Sequence, residues 1–158
     1  MVLENHHSDQ PRKKLDVTDD IIRDVFEGII RSRRITMKDI MTRDVVTLDH
    51  TKTAHDAAMK MMEKSIGSVI ITAYGKPFGI VTKRDLARLV AFLDIPAKCL
   101  ILSYLVSRPL ICARTTQTIQ DASDIMGMYN VDHLPILEQG AIVGIVTTSD
   151  LAKYLLCA

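Results

Sequence analysis

The sequence lacks tryptophan, and aromatic residues make up only 4% of its 158 residues. Its three cysteines include no CxxC pair, so the sequence indicates neither a disulfide framework nor a zinc site. No apolar run reaches the roughly 18 residues that cross a bilayer, and the first residues lack the apolar core of a signal peptide. We therefore expect a cytoplasmic protein without a membrane span, and we expect no metal site.

The formal net charge of +1 gives no overall field that would attract nucleic acid. Two segments are nevertheless basic, Pro11–Lys14 and Arg31–Arg34. We interpret the first as a solvated tail and the second as the last turn of a helix, where cations favour the helix dipole. The alternative, a nucleic-acid-associated regulator that uses these segments, stays open. The few aromatic side chains offer little for base stacking, so this alternative is not favoured.

The most informative feature that the sequence does contain is an internal repeat. Residues 41–93 align with residues 106–158 at a constant offset of 65 without gaps, and 15 of the 53 aligned pairs are identical. About three identities would be expected by chance at this composition. The two stretches are therefore copies of one unit, here called copy 1 and copy 2.

In both copies the spacing of apolar residues changes between strand-like and helix-like in the same order. A short β-prone run, Val45–Leu48 or Leu110–Cys112, precedes a helix capped by Thr53 or Thr118. Two strands with a glycine turn between them follow, and a second helix begins at Thr82 or Thr147. This predicts an α/β (α+β) fold of two β-α-β-β-α units, packed sheet to sheet with pseudo-two-fold symmetry. We interpret the helix methionines as core side chains rather than metal ligands.

A further helix is predicted before copy 1, over about Thr18 to Arg33, with the apolar stripe Ile21, Ile22, Val25, Phe26, Ile29 and Ile30. The predicted organisation is a flexible tail at 1–17, an N-terminal helix at 18–36, the first repeat at 37–95 and the second at 96–158. The apolar stripe could lie on this chain's own core or on another protein.

The string Gly-Ile-Val-Thr-x-x-Asp occurs in both copies, at 79–85 and at 144–150. A Thr-x-x-Asp pair at a helix start is close to a capping box, so its role could be purely structural. The same geometry suits a nucleotide, because helix amides and a hydroxyl can receive phosphate and a carboxylate can accept ribose hydroxyls. Two related clefts would follow from the repeat.

An enzyme is not indicated. The sequence contains no Walker loop, no HExxH and no recognisable order of nucleophile, histidine and carboxylate. No catalytic residues and no required cofactor are therefore predicted.

The doubled unit resembles a tandem pair of CBS domains. The resemblance depends on Lys38–Thr42 before the first copy, on His133–Ile136 in the second, and on both Gly-h-h-Thr-x-x-Asp strings, where h is apolar. It covers about Met37 to the C-terminus. It implies a regulatory module that binds AMP, ADP, ATP or S-adenosylmethionine, forms a homodimer and controls a protein that the sequence does not identify.

The resemblance also implies two clefts. Cleft 1 would be formed by Thr42, Val46, Ile66, Gly67, His133, Thr147, Ser149 and Asp150, and cleft 2 by Thr82, Arg84, Asp85, Ser107, Ile111, Val131 and Asp132. Asp150 and Asp85 would each hold a ribose. Alternatively, His133 is only a packed or surface side chain, and both strings only cap helices in an interaction scaffold. Because Asp132 adds a carboxylate to cleft 2, cleft 1 is expected to bind the nucleotide somewhat better.

Overall fold

The computed structural model describes residues 35–106 and 109–156, together with Ile21, Ile22, Asp24, Val25 and Glu27. Those five residues are helical, as predicted, and Ile21, Ile22 and Val25 are exposed. The rest of the predicted N-terminal helix, the tail 1–17 and both basic segments lie outside the described residues. Ile35 and Thr36 are not helical, which corrects the helix range 18–36. Thr36 is extended because it caps the next helix and bridges to Thr118.

Both copies contain the predicted β-α-β-β-α order. A short helix, α1 (Met37–Ile40), leads into copy 1, which consists of β1 (Thr47–Asp49), α2 (Ala54–Glu63), β2 (Ser68–Ala73), β3 (Lys76–Thr82) and α3 (Lys83–Phe92). Two 3-10 turns, Ala97–Cys99 and Leu102–Tyr104, lead into copy 2, which consists of β4 (Ala113–Arg114), α4 (Ile119–Tyr129), β5 (His133–Glu138), β6 (Ala141–Thr147) and α5 (Thr148–Leu156).

The first strand of each copy begins later than predicted. Pairing with the neighbouring strand starts at Thr47 in copy 1 and at Ala113 in copy 2, whereas we expected Val45–Leu48 and Leu110–Cys112. The apolar residues before these points, such as Val46 and Ile111, pack against the two cores instead of extending the strand. Apolar residues that favour strands also favour burial, so their occurrence here marks buried positions and not the start of the strand.

Each copy forms a three-stranded mixed sheet in which the first strand is parallel to the second and the second is antiparallel to the third. The hairpins turn through Tyr74-Gly75 and Gln139-Gly140, and all four residues have positive φ. This two-residue turn matches the twist of the flanking strands. Strands β3 and β6 bring the two sheets into contact. The predicted fold class is confirmed.

The segments that lead into the two copies are exchanged between them. Leu102 N–H donates to Lys52 O and Met37 N–H donates to Gln117 O, each at 2.8 Å, and both pairs obey the offset of 65. Likewise, Ala54 N–H donates to Leu100 O at 2.8 Å, and Ile119 N–H donates to Ile35 O at 3.2 Å. The repeat therefore extends upstream to Ile35 in the structure.

The apolar cores follow the same exchange. Met37, Ile40 and Met41 belong to the core built by copy 2, with the side chains Ile119, Leu134, Ile136 and Val146. Leu102 belongs to the core built by copy 1, where it meets Met61, Val69, Ile71 and Val81. Each copy thus depends on the other for a fully buried side chain. In the part of the chain that the structure describes, no helix combines the length and apolar character needed to cross a bilayer.

Truncating the exchanged side chains tests this arrangement. Met37→Ala and Leu102→Ala should each lower the free energy of unfolding by about 2–5 kcal/mol, because both side chains are fully buried and would leave cavities. Urea denaturation measures the loss. Tyr104→Ala in the second 3-10 turn is the control, since Tyr104 is 80% exposed and its truncation should change stability by less than about 1 kcal/mol. Losses no larger than the control's would show that the exchange does not stabilise the fold.

Candidate functional site

Cleft 1 is a cavity of about 180 Å³ between the two copies. It contains seven of the eight predicted residues, contributed by the loops before β1 and β2, by β5 and by the start of α5. The lining consists of Thr42, Asp44, Val45, Val46, Ile66, Gly67, Ser68, Ile70, His133, Ile145, Thr147 and Asp150.

Thr42 reaches this cleft because the lead-in of copy 1 pairs with the sheet of copy 2. Thr42 N–H donates to Ile145 O at 3.0 Å, and Ile145 N–H donates to Thr42 O at 2.9 Å. Met41, the preceding residue, packs against Gly144, and a Cβ at Gly144 would lie 2.9 Å from Met41 Cβ. The glycine of the repeated string therefore allows the lead-in to approach the strand and complete the cleft wall.

Cleft 2 is a cavity of about 260 Å³ on the other side of His133. It contains five of the seven predicted residues, mostly from the start of α3 and the loop before β5. The lining consists of Gly67, Ile80, Thr82, Lys83, Arg84, Asp85, Arg88, Asn130, Val131, Asp132 and His133.

The Thr-x-x-Asp strings form complete capping boxes. Asp150 Oδ2 accepts hydrogen bonds from Thr147 N–H at 3.0 Å and from Thr147 Oγ1 at 2.7 Å, while Asp150 N–H donates back to Thr147 Oγ1 at 3.3 Å. Asp85 and Thr82 repeat this geometry in copy 1. The cap occupies one carboxylate oxygen, Oδ2, and leaves Oδ1 outside it.

Capping alone does not mark a ligand site, because Thr36–Asp39, Thr53–Asp56 and Thr118–Asp121 form the same box. These three carboxylates line neither cleft, whereas Asp85 and Asp150 each line one. Position, and not local hydrogen bonding, distinguishes the two repeated strings from the other three caps.

His133 forms a wall that the two clefts share. It is close to the backbone of Gly67, since a Cβ there would lie 2.8 Å from His133 Nε2. Burial lowers the pKa of His133 below its ordinary value, and Arg84 lowers it further, against opposing effects of Asp132, Asp85 and Asp150. The imidazole is therefore neutral at pH 7.

The two clefts differ in charge. Cleft 2 contains Lys83, Arg84 and Arg88, and Arg84 Nη2 lies 2.6 Å from Asp132 Oδ2 of the other copy. The described residues that line cleft 1 include the carboxylates Asp44 and Asp150 and no lysine or arginine. The two clefts therefore have the same Thr-x-x-Asp cap but lining residues of different charge.

Three predicted site residues are not placed in a cleft. Ser149 is exposed and outside the lining of cleft 1. Ile111 packs against the core of copy 2 rather than lining cleft 2. Ser107 lies outside the described residues.

Several lining residues were missed by sequence reasoning, notably Asp44 in cleft 1 and Arg88 and Asn130 in cleft 2. Arg88 follows Arg84 by one helical turn, so helical spacing from the string could have identified it. Asp44 carries no such signal, because it lies in a loop. Among the described residues, no group of three His, Cys, Asp or Glu side chains could hold a metal ion.

Comparison with known proteins gives a single family. The family described as "CBS domain" matches this chain twice, over residues 37–91 and 102–157. CBS domain-containing protein YhcV of Bacillus subtilis (strain 168) is 30% identical over 117 residues, which cover 74% of this chain and 83% of that protein. The chain spans less than half the length of several other curated relatives.

Solved structures agree. The CBS-domain containing protein ATU1752 from Agrobacterium tumefaciens superposes with a TM-score of 0.71 at 28% identity, covering 75% of this chain and 92% of that one. The CBS domain pair of protein MJ0100, solved with 5′-methylthioadenosine and S-adenosyl-L-methionine, gives a TM-score of 0.67 at 25% identity, covering 75% and 93%.

The caps predict a measurable pH dependence. Hydrogen bonds from Thr118 lower the pKa of Asp121 below its usual value, so its stabilising effect is present above about pH 4, the unfolded value, and is lost as pH falls through the lower folded pKa. Asp121→Ala should lower Tm at pH 7 by about 2–4 °C and have little effect at pH 2. Calorimetry at both pH values tests this. An equal loss at both would show that the ionised cap is not what stabilises α4.

Proposed function

The chain belongs to the CBS-domain family, and from this premise we propose that it is a regulatory module that binds adenosine-containing ligands in its two clefts. CBS-domain proteins are mostly regulatory and not catalytic, and CBS pairs commonly bind such ligands. Protein MJ0100, which shares this fold, was solved with two of them. AMP, ADP, ATP and S-adenosylmethionine are the proposed ligands.

The observation that carries the proposal is the position of Asp85 and Asp150, each at a helix start and each lining a cavity. Vicinal ribose hydroxyls are donors, and a carboxylate is an acceptor. In cleft 1, Asp150 Oδ1 accepts a hydrogen bond from Lys153 Nζ at 3.3 Å, and the lysine side chain is 73% exposed. Such a surface pair is weak, so a ribose can replace the ammonium without breaking the cap.

The remainder of cleft 1 suits a nucleobase. Ile66, Ile70 and Ile145 supply an apolar wall, and Thr42 and Ser68 supply hydroxyl groups at its edge. A flat aromatic base buries apolar surface against such a wall, and a few polar groups fix its orientation. We propose that the base lies here, between the lead-in of copy 1 and the sheet of copy 2.

Ligand binding would act on the contact between the copies. Each cleft is lined from both copies, so a ligand stabilises the arrangement in which the two halves of its site are together. The regulated protein would sense this change in conformation or association. We place the protein in the cytoplasm, where disulfides are rare, because Cys99 and Cys112 are free thiols.

A nucleic-acid-associated role is the alternative. Its support came from Pro11–Lys14 and Arg31–Arg34, which lie outside the described residues. Nothing in the described part of the chain favours it.

We also propose that the protein is a homodimer. Several apolar side chains point outward from the helices, and a second copy of the chain would cover them. They include Met59 and Met62 on α2, Val90 and Phe92 on α3, and Met128 on α4, which are 53–86% exposed. Helices α2 and α3 contact each other, so their exposed apolar side chains lie on neighbouring elements that could form one interaction surface.

Ligand binding is tested with matched double variants. At least one of adenosine, AMP, ADP, ATP and S-adenosylmethionine should raise Tm by about 5–10 °C at a concentration near 100 Kd. Asp85→Ala/Asp150→Ala should abolish the shift. The control Asp56→Ala/Asp121→Ala removes the same two kinds of cap outside the clefts and should keep it. If no ligand shifts wild type, the interaction-scaffold function replaces this proposal.

Dimerisation is tested by sedimentation equilibrium. The mass should be near twice 17.7 kDa, and Met62→Glu/Met128→Glu should give the monomer, because a buried carboxylate without a partner is costly. Tyr74→Glu, at a hairpin turn where Tyr74 is 92% exposed, should leave the mass unchanged. A monomeric wild type would contradict the proposal.

A further inference from the structure

The two clefts carry the same cap but different charge, and we propose that they select different ligands. Cleft 2 takes the phosphate chain of an adenosine nucleotide, and cleft 1 takes an adenosine ligand that carries no phosphate. This reverses the preference for cleft 1 expected from the sequence, because Asp44 adds a carboxylate to cleft 1 and Lys83, Arg84 and Arg88 outweigh Asp132 in cleft 2. This inference rests on the proposed function and assigns a ligand class to each cleft.

Three cations face cleft 2, all from the first two turns of α3. Lys83 and Arg84 lie at the first two positions of the helix, and Arg88 follows Arg84 by one turn. The positive end of the dipole at a helix start favours an anion, and guanidinium groups bind phosphate with two parallel hydrogen bonds. The two acidic residues of cleft 2, Asp85 and Asp132, leave an excess of positive charge.

Asp132 occupies a position at which a phosphate could bind. Its carboxylate Oδ2 lies 2.6 Å from Arg84 Nη2, and both side chains are about half exposed. An incoming phosphate therefore competes with this carboxylate for one guanidinium. Because Arg84 belongs to copy 1 and Asp132 to copy 2, binding of phosphate would also release an ion pair that joins the two copies.

Cleft 1 offers no such charge. Thr148 and Ser149 stand where copy 1 has Lys83 and Arg84, and the cavity contains the carboxylates Asp44 and Asp150. Lys153 contacts Asp150 but does not line the cavity. His133 is neutral, because burial lowers its pKa. Lys153 stands where copy 1 has Arg88 and compensates Asp150 alone. A phosphate in cleft 1 would therefore still meet the carboxylate of Asp44, with no lysine or arginine among the described residues that line the cavity, whereas an uncharged or cationic 5′ substituent would not be repelled.

Both ligands can be bound at once. His133 and Gly67 line both cavities and lie between them, and the capping carboxylates Asp85 and Asp150 belong to different copies. Occupation of one cleft therefore leaves the capping carboxylate of the other available.

Isothermal titration calorimetry with adenosine and ATP tests the assignment. ATP titrated into protein saturated with adenosine should still bind one molecule per chain. Asp150→Ala should abolish tight adenosine binding and keep ATP binding, and Asp85→Ala should do the reverse.

Charge variants separate the clefts further. Arg88→Gln should weaken ATP binding about tenfold and leave adenosine binding unchanged, since one charge-assisted contact is lost. Asp132→Asn should strengthen ATP binding by up to about tenfold, because the competing carboxylate is removed. Asp124→Asn, a matched change at an exposed residue outside both clefts, should not alter ATP binding. Arg88 is exposed, so its replacement should not impair folding.

The outcomes are distinguishable. If ATP and adenosine compete for a single site, or if Arg88→Gln leaves ATP affinity unchanged, the assignment of ligand classes is wrong while adenosine-ligand binding stands. If neither ligand binds wild-type protein, the proposed function itself fails.

Discussion

The structure depends on the exchange of lead-in segments between the two copies. Met37 and Leu102 are fully buried, yet each belongs to the core of the copy that it does not precede. The backbone hydrogen bonds that hold these segments repeat at the offset of 65, so the exchange is symmetric. It also builds the site, because the segment that buries Met41 against Gly144 continues directly to Thr42 in the wall of cleft 1. The contacts that complete the core of copy 2 therefore also complete the wall of cleft 1.

The repeated caps illustrate how one local motif can have two roles. Thr82 and Thr147 satisfy backbone N–H groups at the start of α3 and α5 in the same way as three other threonines do elsewhere. Asp85 and Asp150 differ from the other three capping aspartates because each shares a cleft with the loop that precedes the hairpin of the other copy. Lys83 N–H donates to Gly67 O and Thr148 N–H donates to Asp132 O, which places each helix start against the hairpin of its own copy. The cap thus fixes the orientation of each carboxylate whose Oδ1 we propose to bind a ribose.

Much of the fold could be predicted from the sequence because its signals are local. Each of these signals depends on a few neighbouring residues: the change from strand-like to helix-like spacing, the Thr caps and the glycine turns. Because the same signals recur 65 residues later, each predicted strand, helix and turn has support from both copies. The starts of β1 and β4 were predicted too early, since apolar residues such as Val46 serve burial and not strand pairing. Asp44 in cleft 1 and the Arg84–Asp132 pair could not be read from spacing, because they arise from contacts between distant segments. Ser149 was misplaced because the facing direction of one residue in a first helical turn is not fixed by its motif.

The exchange described above has a consequence for how the two halves can change. Two separate chains, each with a single copy and swapping the same segments, would form a symmetric dimer with two identical clefts. Joining the copies in one polypeptide removes that identity, because a substitution now affects one half alone. Ser68 opposite His133, and Lys83-Arg84 opposite Thr148-Ser149, show that the halves have changed independently at positions beside the clefts. In a symmetric dimer the two clefts must be identical, whereas in this single chain each cleft can change by substitutions of its own.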